Sequence, residues 1–316
     1  MQKPTWIKTK VTHGINYDYV SSLLKRLKLS SVCQSAACPN IWECWGQRSV
    51  TFMLMGSVCT RRCAFCNVAK GKPMPIDVLE PIKIALVCAL LRLKHVVITS
   101  VDRDDLFDGG AMHFAKTIDA IRNKDFTQKS ISEILYNEHF TNDEVEQMQN
   151  ALEAAKNEEA SSIEVLTPDF LRKTGAVEII AHAQPDVFNH NIETVPQLYK
   201  TIRPVARYSH SLDLLRHVKT LNNKIFTKSG FMVGLGETFE QTIGVLDDLR
   251  QSMVDFVTIG QYLQPSEKQL AVSRYWSLEE FAALKNIAIS KGFAAVECGP
   301  MVRSSYKAYV PLQKIK

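Results

Sequence analysis

The sequence predicts an α/β protein built as a partial (β/α)6 TIM-type barrel with an N-terminal and a C-terminal extension. Six β-rich runs alternate with amphipathic helical stretches from residue 50 onward, which predicts right-handed crossovers and a parallel sheet. Six units instead of eight leave such a barrel open on one side. Polar motifs follow most of the runs, where the loops of such a barrel carry the chemistry. A hydrophobic content of 46% suits a globular core.

The individual elements follow from this alternation. The predicted strands cover 49–56, 95–100, 162–167, 186–192, 224–233 and 255–261, with 292–298 as a candidate edge strand. The predicted helices cover 81–93, 111–123, 176–183, 211–221, 238–253 and 277–291. We therefore divide the chain into an extension at 1–48, the barrel at 49–270 and a second extension at 271–316.

Residues 124–160 interrupt the alternation and read as two polar, acidic helices. Asn142 and Asp143 are the candidate caps of the second helix. The segment carries three lysines against nine carboxylates, a net charge of −6, whereas the whole chain carries +5, so the rest carries +11. Such a basic body suits an acidic partner or a nucleic acid, or is simply a solvated surface. We expect a surface insertion without site chemistry.

Composition also limits the compartment. No apolar run reaches the roughly 18 residues of a membrane helix, and the start, MQKPTWIKTKV, lacks the apolar core of a signal peptide. Eight cysteines without a secretion signal favour free thiols in a reducing compartment over disulfides. We therefore expect a cytoplasmic, bacterial-type protein without membrane contact.

Six of the eight cysteines form two triplets. They are Cys33, Cys38 and Cys44, spaced C-x4-C-x5-C, and Cys59, Cys63 and Cys66, spaced C-x3-C-x2-C. Three thiolates can bind three irons of a [4Fe–4S] cluster and leave the fourth iron open for a substrate or cofactor. The alternatives are a zinc site, which usually takes four ligands, and buried thiols without a metal. Cys88 and Cys298 read as structural.

The second triplet directly follows the first predicted strand, and the aromatic Phe65 precedes its last cysteine. This arrangement resembles the radical S-adenosylmethionine (SAM) superfamily. The resemblance implies that the second triplet binds a [4Fe–4S] cluster whose open iron chelates SAM. One electron from the cluster then cleaves SAM and releases a 5′-deoxyadenosyl radical, while the protein supplies position and excludes water.

Further blocks resemble the lipoyl synthase family within this superfamily. They include CPNIWECW, MGSVCTRRCAFC, VVITSVDRDDL, FNHNIETVP, KSGFMVGLGE and GPMVRSSYKA. The resemblance runs from about Lys3 to Ala308, with 124–160 as its main interruption. It implies a sulfurtransferase that inserts two sulfur atoms at C6 and C8 of an octanoyl group attached to a lysine of a carrier domain. Because these carbons are unactivated, the chemistry needs a carbon radical.

The same resemblance implies a second cluster and a set of partners. The first triplet would bind an auxiliary [4Fe–4S] cluster that is sacrificed as the sulfur source. Its fourth ligand would be a serine of the RSSY motif, Ser305 with Ser304 as the alternative, although such a pair otherwise reads as a cap or turn. The implied partners are octanoylated 2-oxoacid dehydrogenase E2 domains and the glycine cleavage H protein, an electron donor such as ferredoxin or flavodoxin, and an iron–sulfur carrier for repair. We expect no nucleic acid partner.

Polar residues and glycines at the predicted carboxyl ends of the strands are candidates to bind SAM beside Phe65. They are Ser100, Asp102, Gly109, Gly110, Asn189, Asn191, Glu193 and Arg207. Asn191 or Glu193 suits the ribose or methionine of the cofactor, and Arg207 suits its carboxylate. The two glycines permit close approach of the backbone. For the charged residues the alternative is a solvated loop or a surface ion pair, and His190 reads as a hydrogen-bonded core residue.

Two other functions stay open at this level. One is another two-cluster radical SAM enzyme, such as a methylthiotransferase, whose product would carry SCH3. The other is a non-enzymatic electron-transfer protein with two clusters, which would not cleave SAM.

Overall fold

The chain folds around a parallel β-sheet, seen here in a computed structural model that describes residues 3–9, 14–124, 131, 134–136, 138–156, 161–310 and 312. The strands are β1 Thr51–Leu54, β2 Val58–Cys59, β3 Ala69–Lys70, β4 His95–Ser100, β5 Ser162–Leu166, β6 Val187–Asn189, β7 Phe226–Val233, β8 Phe256–Gln261 and β9 Ala295–Gly299. The main sheet has the order β1-β4-β5-β6-β7-β8-β9, with every pair parallel. Within these residues β1 and β9 do not pair, so the predicted open, partial barrel is confirmed.

The predicted strands all form, and β9 is the predicted edge strand beside β8. Two further strands were not predicted. β2 and β3 pair in a separate parallel sheet of two strands, with Val58 opposite Ala69 and Cys59 opposite Lys70. A strand of two residues is too short to show the alternation on which strand prediction relies.

The helices are α1 Ile15–Arg26, α2 Val32–Ser35, α3 Ile41–Gly46, α4 Glu80–Leu91, α5 Ala111–Asn123, α6 Asn142–Lys156, α7 Ala176–His182, α8 Tyr199–Ile202, α9 Tyr208–Leu221, α10 Phe239–Gln251 and α11 Leu278–Ser290. The six predicted crossover helices correspond to α4, α5, α7, α9, α10 and α11. α10 and α11 each begin with a capping box, formed by Thr238 with Gln241 and by Ser277 with Glu280. Nowhere in the described part of the chain is a helix both long and apolar enough to cross a membrane.

The acidic segment 124–160 is described in part, and its predicted first helix lies largely outside the described residues. α6 is the predicted second helix, but the prediction of Asn142 or Asp143 as its cap is wrong. Thr141 caps it, since the Glu144 amide donates to Thr141 Oγ1 at 3.3 Å and the Thr141 amide donates to Glu144 Oε2 at 2.8 Å. The helix contributes to the main hydrophobic core through Val145, Leu152 and Ala155.

Three adjacent strands of the barrel carry a buried polar layer formed by Glu164 on β5, Asn189 on β6 and Lys228 on β7. Lys228 Nζ donates to both carboxylate oxygens of Glu164 at 3.0 Å, and Asn189 Nδ2 donates to Glu164 Oε1 at 2.8 Å. Buried charges are costly unless they are paired and hydrogen-bonded, and this layer meets both conditions.

Candidate functional site

A cavity of about 480 Å³ opens at the carboxyl ends of the barrel strands. Both cysteine triplets and the RSSY motif contribute to its wall, through Cys33, Cys38, Cys59, Cys63, Cys66, Ser304 and Ser305. Among the described residues Cys44 is the one triplet member that does not line it. Burial and then the charges of Cys33 and Cys38 raise the pKa of Cys44. Cys44 is therefore close to the other two cysteines of its triplet.

The second triplet sits on a loop that is bonded to the loop after β4. Cys59 Sγ accepts the backbone N–H groups of Arg61 at 3.4 Å and of Asp102 at 3.3 Å. Thr60 donates from its amide and its hydroxyl to the Asp102 carbonyl, at 3.1 and 2.9 Å. Cys59 is therefore fixed by backbone contacts, and Asp102, a predicted cofactor contact, also positions the cysteine loop.

Arg61, which the sequence analysis did not single out, anchors this loop from inside. Arg61 lies between Cys59 and Cys63 in the sequence. Its side chain is buried and is surrounded by three carboxylates. Its guanidinium lies 2.7 Å from Asp104, 2.7 Å from Asp169 and 3.4 Å from Asp102. The hydrogen bond from Arg61 lowers the pKa of Asp104, whereas burial raises the pKa of Asp102.

Burial raises the pKa of five of the thiols in the two triplets, those of Cys38, Cys44, Cys59, Cys63 and Cys66. The values are about 12 for Cys44 and about 11 for Cys59, Cys63 and Cys66. These thiols are therefore protonated at neutral pH before a metal binds. Because thiolate is the ligand form, iron binding must release protons.

The first triplet lies on α2, α3 and the turn between them. Ser31 caps α2 by accepting the Cys33 amide at 3.1 Å. The Cys38 amide then donates to the Cys33 carbonyl at 3.0 Å. Asn67, next to Cys66, donates to the Ser35 carbonyl at 3.0 Å. This last bond ties the two cysteine segments together.

The segment that contains the RSSY motif is bonded to the first triplet's segment. Asn40 Nδ2 donates to the Met301 carbonyl at 2.8 Å, and the Tyr306 hydroxyl donates to Glu43 Oε1 at 3.0 Å. These contacts cross about 260 residues of sequence. The N-terminal and C-terminal extensions therefore meet at the cavity.

Ser304 and Ser305 are the central residues of a turn. The turn is closed by the Tyr306 amide, which donates to the Arg303 carbonyl at 3.0 Å. Within the described residues neither serine hydroxyl has a hydrogen-bond partner. Burial raises the pKa of the nearby Cys38, and the Arg303 guanidinium opposes that rise. A hydroxyl without a described partner, in a cavity wall that Cys33 and Cys38 also line, suits a serine that completes a cluster.

Five predicted cofactor contacts line the cavity, namely Phe65, Ser100, Asp102, Asn191 and Glu193. Ser100 Oγ and Asn191 Oδ1 are buried and have no hydrogen-bond partner in the described part of the chain. Since buried polar atoms are almost always paired, these two atoms fit a polar ligand. Burial also raises the pKa of Glu193, and Arg203 opposes that rise.

Four predicted contacts lie elsewhere, and none is among the described residues of the cavity wall. Asn189 belongs to the polar layer on Glu164. Gly109 and Gly110 have positive φ angles of 63° and 92°, and Gly110 packs against Met55 instead of a ligand. Arg207 is exposed at the start of α9.

Arg203 occupies the cavity wall in place of Arg207, four residues earlier in the chain. It is buried and donates to the Asn191 carbonyl at 3.0 Å and to the Tyr199 hydroxyl at 2.7 Å. No motif distinguishes one arginine from the other in the sequence. The signal that could have found it is its place directly after the apolar, buried Ile202 at the end of α8.

Three other predictions of structural roles are confirmed. His190 is buried between the Thr167 carbonyl and Ser211 Oγ, both at 2.9 Å, and burial lowers its pKa to about 4. Cys88 is buried in α4. Cys298 Sγ donates to the Phe281 carbonyl at 3.4 Å.

The donor chemistry fits iron–sulfur clusters better than a single metal ion. Within the described ranges, no three His, Cys, Asp or Glu side chains converge closely enough to hold one ion. A structural zinc ion needs four ligands on one centre, whereas a [4Fe–4S] cluster takes one thiolate on each of its irons. All eight cysteines are free thiols, so both triplets are available.

A match to a known protein family agrees with the second triplet's part of this site. Residues 53–249 match the radical SAM superfamily, and this range includes the second triplet. SuiB of Streptococcus suis has a similar structure, with 12% sequence identity and a TM-score of 0.50, over 96% of this chain and 59% of SuiB. Methylornithine synthase (PylB) has 14% identity and a TM-score of 0.45, over 88% of this chain and 81% of that protein. This chain spans 50–59% of the length of the SuiB structures that it matches, and the match with a TM-score of 0.50 bears on the fold alone.

The family match covers well over half of the chain, begins in β1 and ends in α10, and so includes β4 to β7 of the open parallel sheet and the cysteine loop that follows its first strand. This chain belongs to the radical SAM superfamily, whose enzymes use a [4Fe–4S] cluster and SAM.

Proposed function

We propose that this radical SAM enzyme is a lipoyl synthase. It inserts two sulfur atoms, at C6 and C8, into an octanoyl group attached to a lysine of a lipoyl carrier domain. One observation carries the proposal: cysteines of both triplets and the serines of the RSSY turn line one cavity. A radical SAM enzyme with a single cluster has no need of the first triplet or of the serine turn.

The protein's own residues have distinct tasks in this proposal. The second triplet holds the SAM-binding cluster, and the first triplet with Ser305, or alternatively Ser304, holds the auxiliary cluster. When bound, the SAM-binding cluster would supply the electron for radical formation, and the auxiliary cluster would supply sulfur. Ser100 Oγ and Asn191 Oδ1 offer hydrogen bonds to SAM.

The partners are part of the same proposal. The octanoyl group arrives on an E2 domain of a 2-oxoacid dehydrogenase or on the glycine cleavage H protein. The net charge of +11 outside the acidic segment suits an acidic carrier domain, since opposite fields steer association. A ferredoxin or flavodoxin supplies electrons, and an iron–sulfur carrier rebuilds the auxiliary cluster.

An anaerobic single-turnover assay tests the proposal. Reconstituted protein with about eight irons per chain, four for each cluster, receives an octanoyl-lysine peptide, SAM and dithionite. We expect the peptide to gain two sulfur atoms and SAM to yield 5′-deoxyadenosine. In a Cys38→Ala control, 5′-deoxyadenosine still forms and the peptide gains no sulfur.

Three results would contradict the proposal. A methylated sulfur on the product would favour a methylthiotransferase. Formation of 5′-deoxyadenosine by the wild type without sulfur on the peptide would place the substrate elsewhere. Full sulfur insertion by Cys38→Ala would remove the first triplet from the reaction.

A further inference from the structure

The buried ion pair of Glu164 and Lys228 lies directly beneath the cavity. Side chains alternate along a strand, so Glu164 shares its face with Leu166, and Lys228 shares its face with Gly230. Leu166 and Gly230 both line the cavity. The ion pair is therefore one layer deeper in the barrel than the site.

Lys228 reaches beyond its partner. Besides the two bonds to Glu164, its Nζ donates to the Ser304 carbonyl at 2.6 Å. An ammonium group has three donors, and these three acceptors use all of them. The third bond joins the interior of the barrel to the C-terminal turn, which lies 76 residues further along the chain.

The turn is also pressed against the neighbouring strand. A Cβ atom on Gly260 of β8 would lie 2.2 Å from the Val302 carbonyl oxygen, which no real contact tolerates. Glycine at this position therefore lets the segment before Ser304 approach β8. Contact with β8 on one side and the bond from Lys228 on β7 fix the position of the turn.

We propose that Lys228, paired with Glu164, is a positioning residue that holds the Ser304–Ser305 turn where a serine hydroxyl faces the first triplet. This inference rests on the proposed function, because it needs the auxiliary cluster. It gives the inner ion pair a role in ligand geometry that a barrel core alone would not require, since a packed apolar pair could fill the same space.

Two half-loaded proteins separate this role from general stability. Parent A, C59A/C63A/C66A, retains only the first triplet, and parent B, C33A/C38A/C44A, retains only the second. The substitution pair E164Q/K228M is introduced into each, because K228M alone would leave Glu164 buried without its partner charge. Iron and sulfide are counted after anaerobic reconstitution, and EPR spectra are recorded after mild oxidation.

We expect parent A to bind about four irons per chain. With E164Q/K228M it should hold about three or fewer and show the EPR signal of a [3Fe–4S] cluster, because the iron without a cysteine ligand is released. Parent B should keep its iron with the same substitutions. Ser305→Ala, or Ser304→Ala if that serine is the ligand, should reproduce the signature in parent A. Combining it with E164Q/K228M should add nothing, as expected when two changes remove one ligand.

A second variant displaces the turn without touching the ion pair. Gly260→Ala in parent A should give the same loss of iron through the clash with Val302. Gly244→Ala is the matched control, since nothing lies within 4 Å of a Cβ there, and its iron content should equal that of parent A.

Each remaining outcome overturns the inference. In one such outcome, parent A with E164Q/K228M keeps four irons and the spectrum of parent A. In the other, both parents lose iron equally, and that equal loss would mean general damage to the barrel. If parent A itself binds no cluster, the proposed function fails together with the inference. The outcomes above overturn the inference alone, so the two failures are distinguishable.

Discussion

At the scale of single residues, Arg61 and Arg62 show how little residue type says about role. Arg61 is buried among Asp102, Asp104 and Asp169, whereas Arg62 is exposed. A cation among three carboxylates stabilises the cysteine loop because its removal leaves like charges close together in a poorly solvated place. Its neighbour contributes one more charge to the surface.

Arg61→Met should therefore lower the free energy of unfolding by about 3–5 kcal/mol and strip iron from the second triplet. Arg62→Met is the matched control and should change stability by no more than about 0.5 kcal/mol. Iron content in the parent B protein and thermal denaturation under anaerobic conditions measure both effects. Equal behaviour of the two variants would remove Arg61 from its role in the loop.

At the scale of elements, the sequence predicted what periodicity encodes. β4 and α5 have the predicted bounds, because a short, largely apolar run defines β4 and an amphipathic pattern continues unbroken through α5. The cavity wall was predicted where motifs follow strands, as at Ser100 and Asn191. Arg203 and the partners of Lys228 could not be predicted, because they depend on which distant segments meet. The predicted caps of α6 lie one and two residues after the true one, because Thr141, Asn142 and Asp143 are all good capping residues.

The true cap makes a test at this scale. Thr141→Ala should destabilise the first turn of α6 by about 1 kcal/mol, because the Glu144 amide loses its acceptor. Glu144 also pairs with Arg26 of α1, and the hydrogen bond from Arg26 is the first cause that lowers its pKa to about 2. The pKa of Glu144 is lower in the folded protein than in the unfolded chain. The stabilisation from its ion pair with Arg26 is therefore present above about pH 4.5 and is lost as the pH falls toward 2.

Hydrogen exchange followed by mass spectrometry at pH 7 measures the effect, since the ion pair is intact there. Amides in the first turn should exchange about fivefold faster in Thr141→Ala, which corresponds to about 1 kcal/mol. Thr141→Ser should exchange like the wild type, because it keeps the hydroxyl acceptor. Unchanged exchange in the alanine variant would show that the cap does not stabilise the turn.

At the scale of the whole molecule, two distant ends of the chain close one site. The barrel supplies the second triplet, and the first triplet and the serine turn come from opposite extensions. The hydrogen bonds from Asn40 to Met301 and from Tyr306 to Glu43 join these extensions. Two hydrogen bonds of this kind contribute only about 1 kcal/mol each. In our proposal the auxiliary cluster, bound by residues from both segments, is the stronger link.

This link can be tested by limited proteolysis of the anaerobic holoenzyme. Arg48 and Lys307 are exposed, follow the two bridged segments and are cleavage sites for trypsin, while the exposed Lys224 lies in a loop before β7. Cys38→Ala should speed cleavage after Arg48 and Lys307 together by on the order of tenfold, since losing a link of only about 1.4 kcal/mol raises the open population by that factor. Cleavage after Lys224 should not change.

Cys63→Ala, which disrupts only the second triplet, should leave Arg48 and Lys307 protected. If Cys38→Ala protects both sites as well as the wild type does, the hydrogen bonds alone hold the extensions together, and no cluster is needed to join them.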